Sequence, residues 1–447
     1  MIPSRYNVIL NDEPHPGEAL IFNTLHGALF VLEPDYRQSL ERLATRAELF
    51  PADHQRLAEM AGEGFVAKSA EAERDQVIHH LERAAHGHPE ILAAKVLTTM
   101  ACNLDCVYCF EAQMDRAPRL GPEDAARVVA RLIARAGETG AAGIAVDFYG
   151  GEPLLNPEAI LIVAGGLEDW RRENGRQFSF SLTTNGTLLT RAMVERLLPL
   201  GLSQVRVSLD GAAPVHDARR PFRGRTGSSH AVIMANLAEV VDLVRVTPIV
   251  TCSASDPGVF AGLLDDLAAR ALLHRLASVQ PSLEQRRLDG QGRACGDGAC
   301  ALDAESAHFF LEMQAMLVER GVRPRTDLLS ATNCALCSES GPWIFAPDGA
   351  IHKCPLIMDQ DHLRVGRLES QTLEPGYFRL IASEPWRRCL DSGCPYLPLC
   401  GPGLGCRVEA LRTTGDILGQ VCARQFQEAY LPGAMRLEYR IQELFGE

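Results

Sequence analysis

The stretch KVLTTMACNLDCVYCF, residues 95–110, joins a β-branched apolar run to a loop that holds Cys102, Cys106 and Cys109 within eight residues. The run reads as a strand. Working outward, GIAVDFYG (143–150), FSFSLTTN (178–185), QVRVSLD (204–210), VRVTPIVTC (244–252) and HRLASVQ (274–280) read as further strands. Between them EDAARVVARLIARAG (123–137), PEAILIVAGGLEDWRREN (157–174) and RAMVERLLPLG (191–201) read as helices. This alternation predicts an α/β fold with a parallel sheet, doubly wound or barrel-like. In both architectures the loops at the C-terminal strand ends converge, so the three cysteines fall where chemistry is done.

The 447-residue chain is 46% apolar and 23% charged, the composition of a globular protein long enough for two or three domains. Its net charge is −13 and no segment is dominated by lysine or arginine, which argues against nucleic-acid binding. MIPSRYNVILNDEP at the N-terminus lacks the apolar core of a signal peptide, and no run approaches ~18 uninterrupted apolar residues. The expectation is a cytoplasmic protein without a membrane span.

Residues 1–90 read as a small separate module. NVIL (7–10) and EALIF (18–22) are strand candidates, followed by two helical stretches, a short FVA strand and a third helix. The module carries 8 basic and 15 acidic residues, a net −7. It is read either as an acidic helical cap or as a winged-helix-like docking module. Residues 91–300 form the barrel-like unit and close on a glycine-rich loop at 288–303. A bridging helix lies within 301–331, a cysteine-rich region spans 332–430, and an amphipathic helix fills 431–447.

Fourteen cysteines are too many for chance in such a chain, and disulfides suit neither its size nor its expected compartment. Clustered thiols in a reducing compartment bind metal. Eight of them, Cys334, Cys337, Cys354, Cys389, Cys394, Cys400, Cys406 and Cys422, make two complete sets of four. Two closed zinc sites and two iron–sulfur clusters both satisfy that count. The three at 102–109 fit either a zinc completed from elsewhere or a cluster with one iron left free.

The C-x3-C-x2-C spacing, the aromatic before the last cysteine and the position after the first strand resemble the radical S-adenosylmethionine (SAM) superfamily. That resemblance implies a partial (β/α)6 TIM-like barrel and a 4Fe-4S cluster on Cys102, Cys106 and Cys109, whose fourth iron binds SAM. YGGEP (149–153) matches the family's second strand end, and Gly150, Gly151 and Glu152 would hold the methionine amino group of SAM. A carboxylate pairing with an ammonium is the physical basis assumed for Glu152. TTNG (183–186) and VSLDG (207–211) correspond to the next two strand ends. By resemblance Ser208 contacts the ribose or carboxylate, Arg220 pairs with the carboxylate, and Tyr108 meets the adenine through its backbone. Asn185 and Asp210 are either ligand contacts or strand-end caps. The implied chemistry is reductive cleavage of SAM to a 5′-deoxyadenosyl radical that abstracts hydrogen from substrate.

The second cysteine region resembles the SPASM domain of these enzymes, which carries two auxiliary 4Fe-4S clusters. By resemblance Cys334, Cys337, Cys354 and Cys406 hold the first, and Cys389, Cys394, Cys400 and Cys422 the second. The family pattern C-x2-C-x5-C-x3-C is here C-x4-C-x5-C-x5-C, two loops being longer. Three 4Fe-4S clusters, SAM and an electron donor such as flavodoxin or ferredoxin follow.

The resemblance implies a maturase of ribosomally made (RiPP) precursor peptides that installs a thioether or carbon–carbon crosslink. The alternatives are a sulfatase-maturase-like oxidase forming formylglycine and a catalytically inactive iron–sulfur scaffold. Sulfatase maturases place an aspartate where this chain has Pro355. A leader peptide is expected to dock by β-augmentation along NVIL or EALIF. Cys252 reads as a core residue, Cys295 and Cys300 as loop thiols or a redox pair, and His79 and His80 as solvated.

Overall fold

The computed structural model describes residues 1–109, 111–112, 114–224, 226–252, 256–283, 304–324, 328–330, 334–370 and 372–446. Cys295 and Cys300 lie outside them. The N-terminal part runs β1 (Ile2–Pro3), β2 (Asn7–Asn11), β3 (Ala19–Asn23), β4 (Leu29–Leu32), α1 (Pro34–Thr45), α2 (Pro51–Gly62), β5 (Val66–Ala67) and α3 (Ala70–His86). The β2–β3–β4 meander is antiparallel, with Ile9 opposite Ile21 and Ile21 opposite Phe30. Alternation along β3 assigns its two faces to different partners. Ala19 and Ile21 pack with Leu40, Leu57 and Met60 of α1 and α2. Leu20 and Phe22 pack instead on Leu431, Ala434 and Met435 of the terminal helix.

The central part runs β6 (Ile91–Thr99), α4 (Pro122–Thr139), β7 (Gly143–Gly150), α5 (Pro157–Asn174), β8 (Gln177–Thr184), α6 (Arg191–Leu197), β9 (Leu202–Ser208), α7 (Ala213–Arg219), α8 (Ser229–Val240), β10 (Arg245–Cys252), α9 (Gly258–Ala269) and β11 (Gln280–Leu283). Neighbours from β6 to β11 pair in parallel and in chain order, as a partial barrel requires. Val96, Phe148, Phe180 and Val207 face the helices and are at most 1% exposed. The intervening residues face the lumen, where Asp147 pairs with Lys95 and Arg206 and accepts from Ser181 Oγ at 2.8 Å. Cys252 is a buried core residue.

The sixth strand departs from expectation. HRLASVQ opens within a 3-10 turn at Leu273–Arg275, and β11 starts only at Gln280. Leu272, Leu273 and Leu276 are buried within a connection, so an apolar run there did not mark a strand.

The remainder runs α10 (Ala304–Glu319), β12 (Trp343–Phe345), β13 (Ala350–His352), β14 (Gly366–Arg367), α11 (Pro375–Ile381), α12 (Leu397–Cys400), α13 (Arg407–Thr414) and α14 (Arg424–Phe445). β12 adds in parallel to the outer edge of β6, and β13 and β14 follow it, so the described sheet has nine strands. That hairpin seats the cysteine-rich region on the barrel. Trp343 anchors it, covered by the guanidinium groups of Arg131 and Arg135 at 5.3 and 5.2 Å. α14 begins seven residues before the expected boundary and runs through Pro432, a residue that ordinarily breaks a helix. Packing on α10 overrides the break: the side chain of Leu311 fills the space a Cβ at Gly433 would need.

Residues 1–90 are therefore not detached from the cysteine-rich region. Val77 and Leu81 of α3 share a core with Trp386, Leu390 and Leu397. Glu339 N donates to Ala85 O at 2.7 Å. His80, expected in solvent, is half-buried. Among the described residues no helix is long and apolar enough to cross a membrane.

Candidate active site

The loop after β6 is held by backbone pairing with the segment after α7. Asp105 N donates to Pro221 O at 2.8 Å, Val107 N to Arg219 O at 3.0 Å, and Arg223 N to Asn103 O at 2.9 Å. This zipper brings Arg220 to the cysteines across more than a hundred residues of chain. The result is one cavity of about 250 Å³ at the C-terminal ends of the strands. Cys102, Cys106 and Cys109 line it, as do Tyr108, Gly150, Gly151, Asn185, Ser208 and Arg220.

Burial pushes the Cys102 thiol up to about 11 and raises Cys106 and Cys109 as well. Desolvated thiols stay protonated unless a metal or cation stabilises the thiolate. The three fit a soft metal group better than a free nucleophile. Asn185 Nδ2 donates to Cys102 Sγ at 3.8 Å and to Asn103 Oδ1 at 2.8 Å, while its Oδ1 accepts from Thr187 N at 2.9 Å. Asn185 therefore both lines the cavity and orients the first cysteine.

The two glycines are required by close approach. Gly150 has φ 129°, and a Cβ there would lie 2.2 Å from Thr99 O. A Cβ on Gly151 would lie 2.4 Å from Ala101 O and 2.6 Å from Met100 O. Backbone thus crosses backbone beneath the cysteine loop. Glu152 differs from expectation. Its carboxylate is fully buried and accepts from Leu154 N at 3.0 Å, Thr184 Oγ1 at 2.7 Å and Asn185 N at 2.7 Å. Burial raises its pKa against those three donors. The glycines line the cavity and the carboxylate ties the ends of β7 and β8 together, so direct pairing of Glu152 with a ligand ammonium does not match this geometry.

Asp210 is also fully buried. It accepts from the Tyr108 hydroxyl and from Thr251 N at 3.0 Å, and its Oδ2 lies 3.4 Å from Arg220 Nη1. Arg220 Nη1 also donates to the Tyr108 oxygen, while Nε is buried without a partner. Burial opposes the Arg220 charge, but Tyr108 and Asp210 outweigh it and hold the pKa well above the ordinary guanidinium value. Burial likewise raises the Tyr108 phenol, which stays protonated. Asp210 is thus the counter-ion that fixes a cationic wall, and Arg220 keeps a spare donor for an anion.

Glu111, Arg116, Tyr149 and Thr183 line the cavity too, and the sequence reading assigned them no role. Glu111 is 6% exposed, with Oε1 unpartnered. Burial pushes its carboxyl up to about 7, against Arg116 and Lys95. Its sequence signal was only a lone acid two places beyond Cys109.

The eight later cysteines separate into two neighbourhoods. Burial raises the Cys354 thiol to about 12, and the other thiols acting on it are Cys334 and Cys406. Cys337, also raised to about 12 by burial, feels Cys334. In the other group burial raises Cys400 to about 12, with Cys394, Cys422 and Cys389 around it. Two buried cations adjoin the first group. Lys353 is 1% exposed and donates to Ser338 O and Gly341 O, each at 2.7 Å. Arg407 is 0% exposed, donates from Nη1 to Gly419 O at 2.8 Å, and leaves Nε and Nη2 unpartnered. Burial lowers Lys353 to about 7, so Arg407, with two nitrogens unpartnered, is the firm buried cation, and an isolated buried charge of this kind fits an anionic group at the four thiols. Among the described residues no three His, Cys, Asp or Glu side chains converge closely enough to hold a single metal ion.

Residues 96–252 match the Radical SAM superfamily. The serine-type anaerobic sulfatase-maturating enzyme of Klebsiella aerogenes is 28% identical over 294 residues, 61% of this chain and 68% of that protein. The GTP 3′,8-cyclase of Mycolicibacterium smegmatis is 34% identical over 161 residues, 35% of this chain and 41% of its own length. The solved structure of native anSMEcpe with bound AdoMet and Kp18Cys peptide superposes with a TM-score of 0.61 at 18% identity, covering 79% of this chain and 99% of that one. Streptococcus suis SuiB bound to S-adenosylmethionine gives 0.56 at 13% identity, over 95% and 100%. At those identities the two structures establish a shared fold.

Proposed function

We propose, from the premise that this chain carries a radical SAM domain, that it modifies a precursor peptide oxidatively and forms a thioether or carbon–carbon crosslink. The observation that carries the reading is the convergence of Cys102, Cys106, Cys109, the Gly150–Gly151 backbone and Arg220 on one cavity at the strand ends. The three thiols would hold a 4Fe-4S cluster, and the wall opposite would hold SAM. When bound, the reduced cluster and SAM supply a carbon-centred radical that takes hydrogen from substrate.

The protein's own part is positioning. Arg220, held by Asp210 and Tyr108, offers Nε to a carboxylate. Gly150 and Gly151 let backbone close on the ligand, and Glu152 keeps the two strand ends in register from behind. Cys334, Cys337, Cys354 and Cys406, and Cys389, Cys394, Cys400 and Cys422, would hold two auxiliary clusters that pass an electron outward to a flavodoxin- or ferredoxin-like partner.

A peptide substrate is supported by the shared fold with SuiB, which has also been solved bound to precursor peptide SuiA with a TM-score of 0.53. Leader docking by strand addition needs an open edge, and β3, which contains most of EALIF, is paired on both sides. The available edges are β2 and β4, where Ile9 and Phe30 are 40% and 46% exposed. Ile9→Lys and Phe30→Lys, made separately, test which edge receives the leader.

The second reading, a sulfatase-maturase-like oxidase, is favoured by the Klebsiella relative. Pro355 stands against its proposed aspartate base. Anoxically reconstituted protein with dithionite and SAM is expected to release 5′-deoxyadenosine, and Cys106→Ala to release none. Absence of release from the unaltered protein sinks both readings and leaves the scaffold. Mass spectrometry of a co-expressed peptide then separates crosslink from formylglycine.

A further inference from the structure

A second cavity, of about 220 Å³, lies beside the first. Met100 lines both. The second is walled by Met114 and Asp115 from the cysteine-loop side and by Asp348, His352, Met358 and Asp359 from the β12–β13 hairpin and the turns after it. It therefore lies at the seam where the cysteine-rich region meets the barrel.

Its chemistry is one-sided. Among the described residues three carboxylates line it and no lysine or arginine does. Asp115 Oδ1 accepts from Ala117 N at 2.9 Å and Asp348 Oδ1 from Ala350 N at 3.0 Å. Among the described residues neither carboxylate forms an ion pair, although Arg367 Nη1 donates to the backbone oxygen of Asp348 at 3.4 Å and the Arg364 charge is felt at Asp348. An acidic rim alone would mean little, but the floor adds a second observation. His352 is 3% exposed and its Nδ1 has no partner. A buried ring nitrogen left without a partner in a cavity wall is a place for a donor to arrive. Between rim and floor the walls are the thioether side chains of Met100, Met114 and Met358, polarizable and adaptable in shape.

We propose that this cavity receives a lysine or arginine side chain of the substrate peptide, close in sequence to the residue held in the first cavity. The methionines cover the aliphatic stem, the carboxylates take the charge, and His352 accepts one N–H. The shared Met100 makes the two cavities neighbours, and an extended peptide advances only about 3.3 Å per residue. The inference rests on the peptide-modifying reading and adds a specificity rule to it: the modified residue is flanked by a basic one.

The test uses the full, anoxically reconstituted chain with SAM and two probes, N-acetyl-arginine amide and N-acetyl-citrulline amide, by calorimetry. The expected result is binding of the arginine probe about tenfold tighter than its neutral isostere. The preference is expected to fall at least about fivefold in the Asp115→Asn, Asp348→Asn double variant. Asp348→Lys should shift preference toward N-acetyl-glutamate amide, a result that misfolding would not produce. Equal binding of the first two probes, no binding of either, or a preference unchanged in these variants overturns the proposal. Release of 5′-deoxyadenosine by the same preparation separates the two ideas. Release without arginine preference removes the subsite alone; preference without release keeps the subsite and removes the enzymatic reading.

Discussion

Arg220 Nη1 lies 3.4 Å from Asp210 Oδ2, and both side chains are buried at the wall of the candidate active site. A buried pair of this kind is poor evidence of net stabilisation but expensive to break on one side. Asp210→Asn is expected to cost about 3–5 kcal/mol and to weaken SAM binding, because the Arg220 charge is left without its anion. Tyr108→Phe removes one hydrogen-bonding group and should cost about 1 kcal/mol. Thermal unfolding and SAM titration of the two variants check this; equal costs would refute the counter-ion role.

Gly151→Ala should abolish SAM binding and strip iron from the first site. Its Cβ would meet backbone oxygens of Ala101 and Met100, which cannot move without shifting the cysteine loop. Iron content and SAM titration are the readouts, and a variant with both unchanged would show that the crossing is slack.

On the proposal of two auxiliary clusters, Cys354→Ala and Cys400→Ala should each remove one and spare the other, since the two thiols belong to separate neighbourhoods. Iron counts and electron paramagnetic resonance of the anoxic proteins distinguish the losses. Pairing either residue with Cys334→Ala should lose nothing further for Cys354 and a second cluster for Cys400.

Arg407→Met should make the reduction potential of the cluster proposed at Cys334, Cys337, Cys354 and Cys406 more negative. A buried cation favours the more negative reduced state, and Arg407 is wholly inaccessible to solvent. Potentiometric titration should show that signal moving while the other auxiliary signal stays.

His216 supplies a pH dependence. Asp210 N donates to its Nδ1 at 3.1 Å, and burial lowers its pKa from 6.5 to about 3. The unfolded chain therefore takes up a proton below pH 6.5 that the folded chain refuses until about pH 3. Stability from this group is complete above pH 6.5 and is lost as pH falls through that window, by up to about 1.4 kcal/mol per pH unit. His352, lowered to about 4 by burial, adds in the same direction. The urea midpoint should drop less between pH 7 and 5.5 in His216→Asn than in the unaltered chain.

Some of this was legible along the chain. The barrel strands β6 to β10 and the helices α4, α5 and α6 followed from alternation and period, because each face of those elements is buried or polar in regular order, although β6 begins at Ile91, four residues before the run that marked it. The cysteine spacing and the glycines of YGGEP mark strand ends whatever surrounds them. The late start of β11, the helix through Pro432 and the central place of β3 were not legible, since each depends on a segment remote in sequence.

For the site, residue types and their spacing along the chain were enough to nominate the thiols, the glycines and Arg220. Only tertiary packing decided that Glu152 is spent on Leu154, Thr184 and Asn185, that Asp210 serves Arg220, that Lys353 and Arg407 flank four of the thiols, and that an acidic cavity adjoins the first. The physical reason is that spacing is a property of the chain itself. Desolvation and charge compensation depend on what folds back against each group, and that is settled only when distant strands and loops meet.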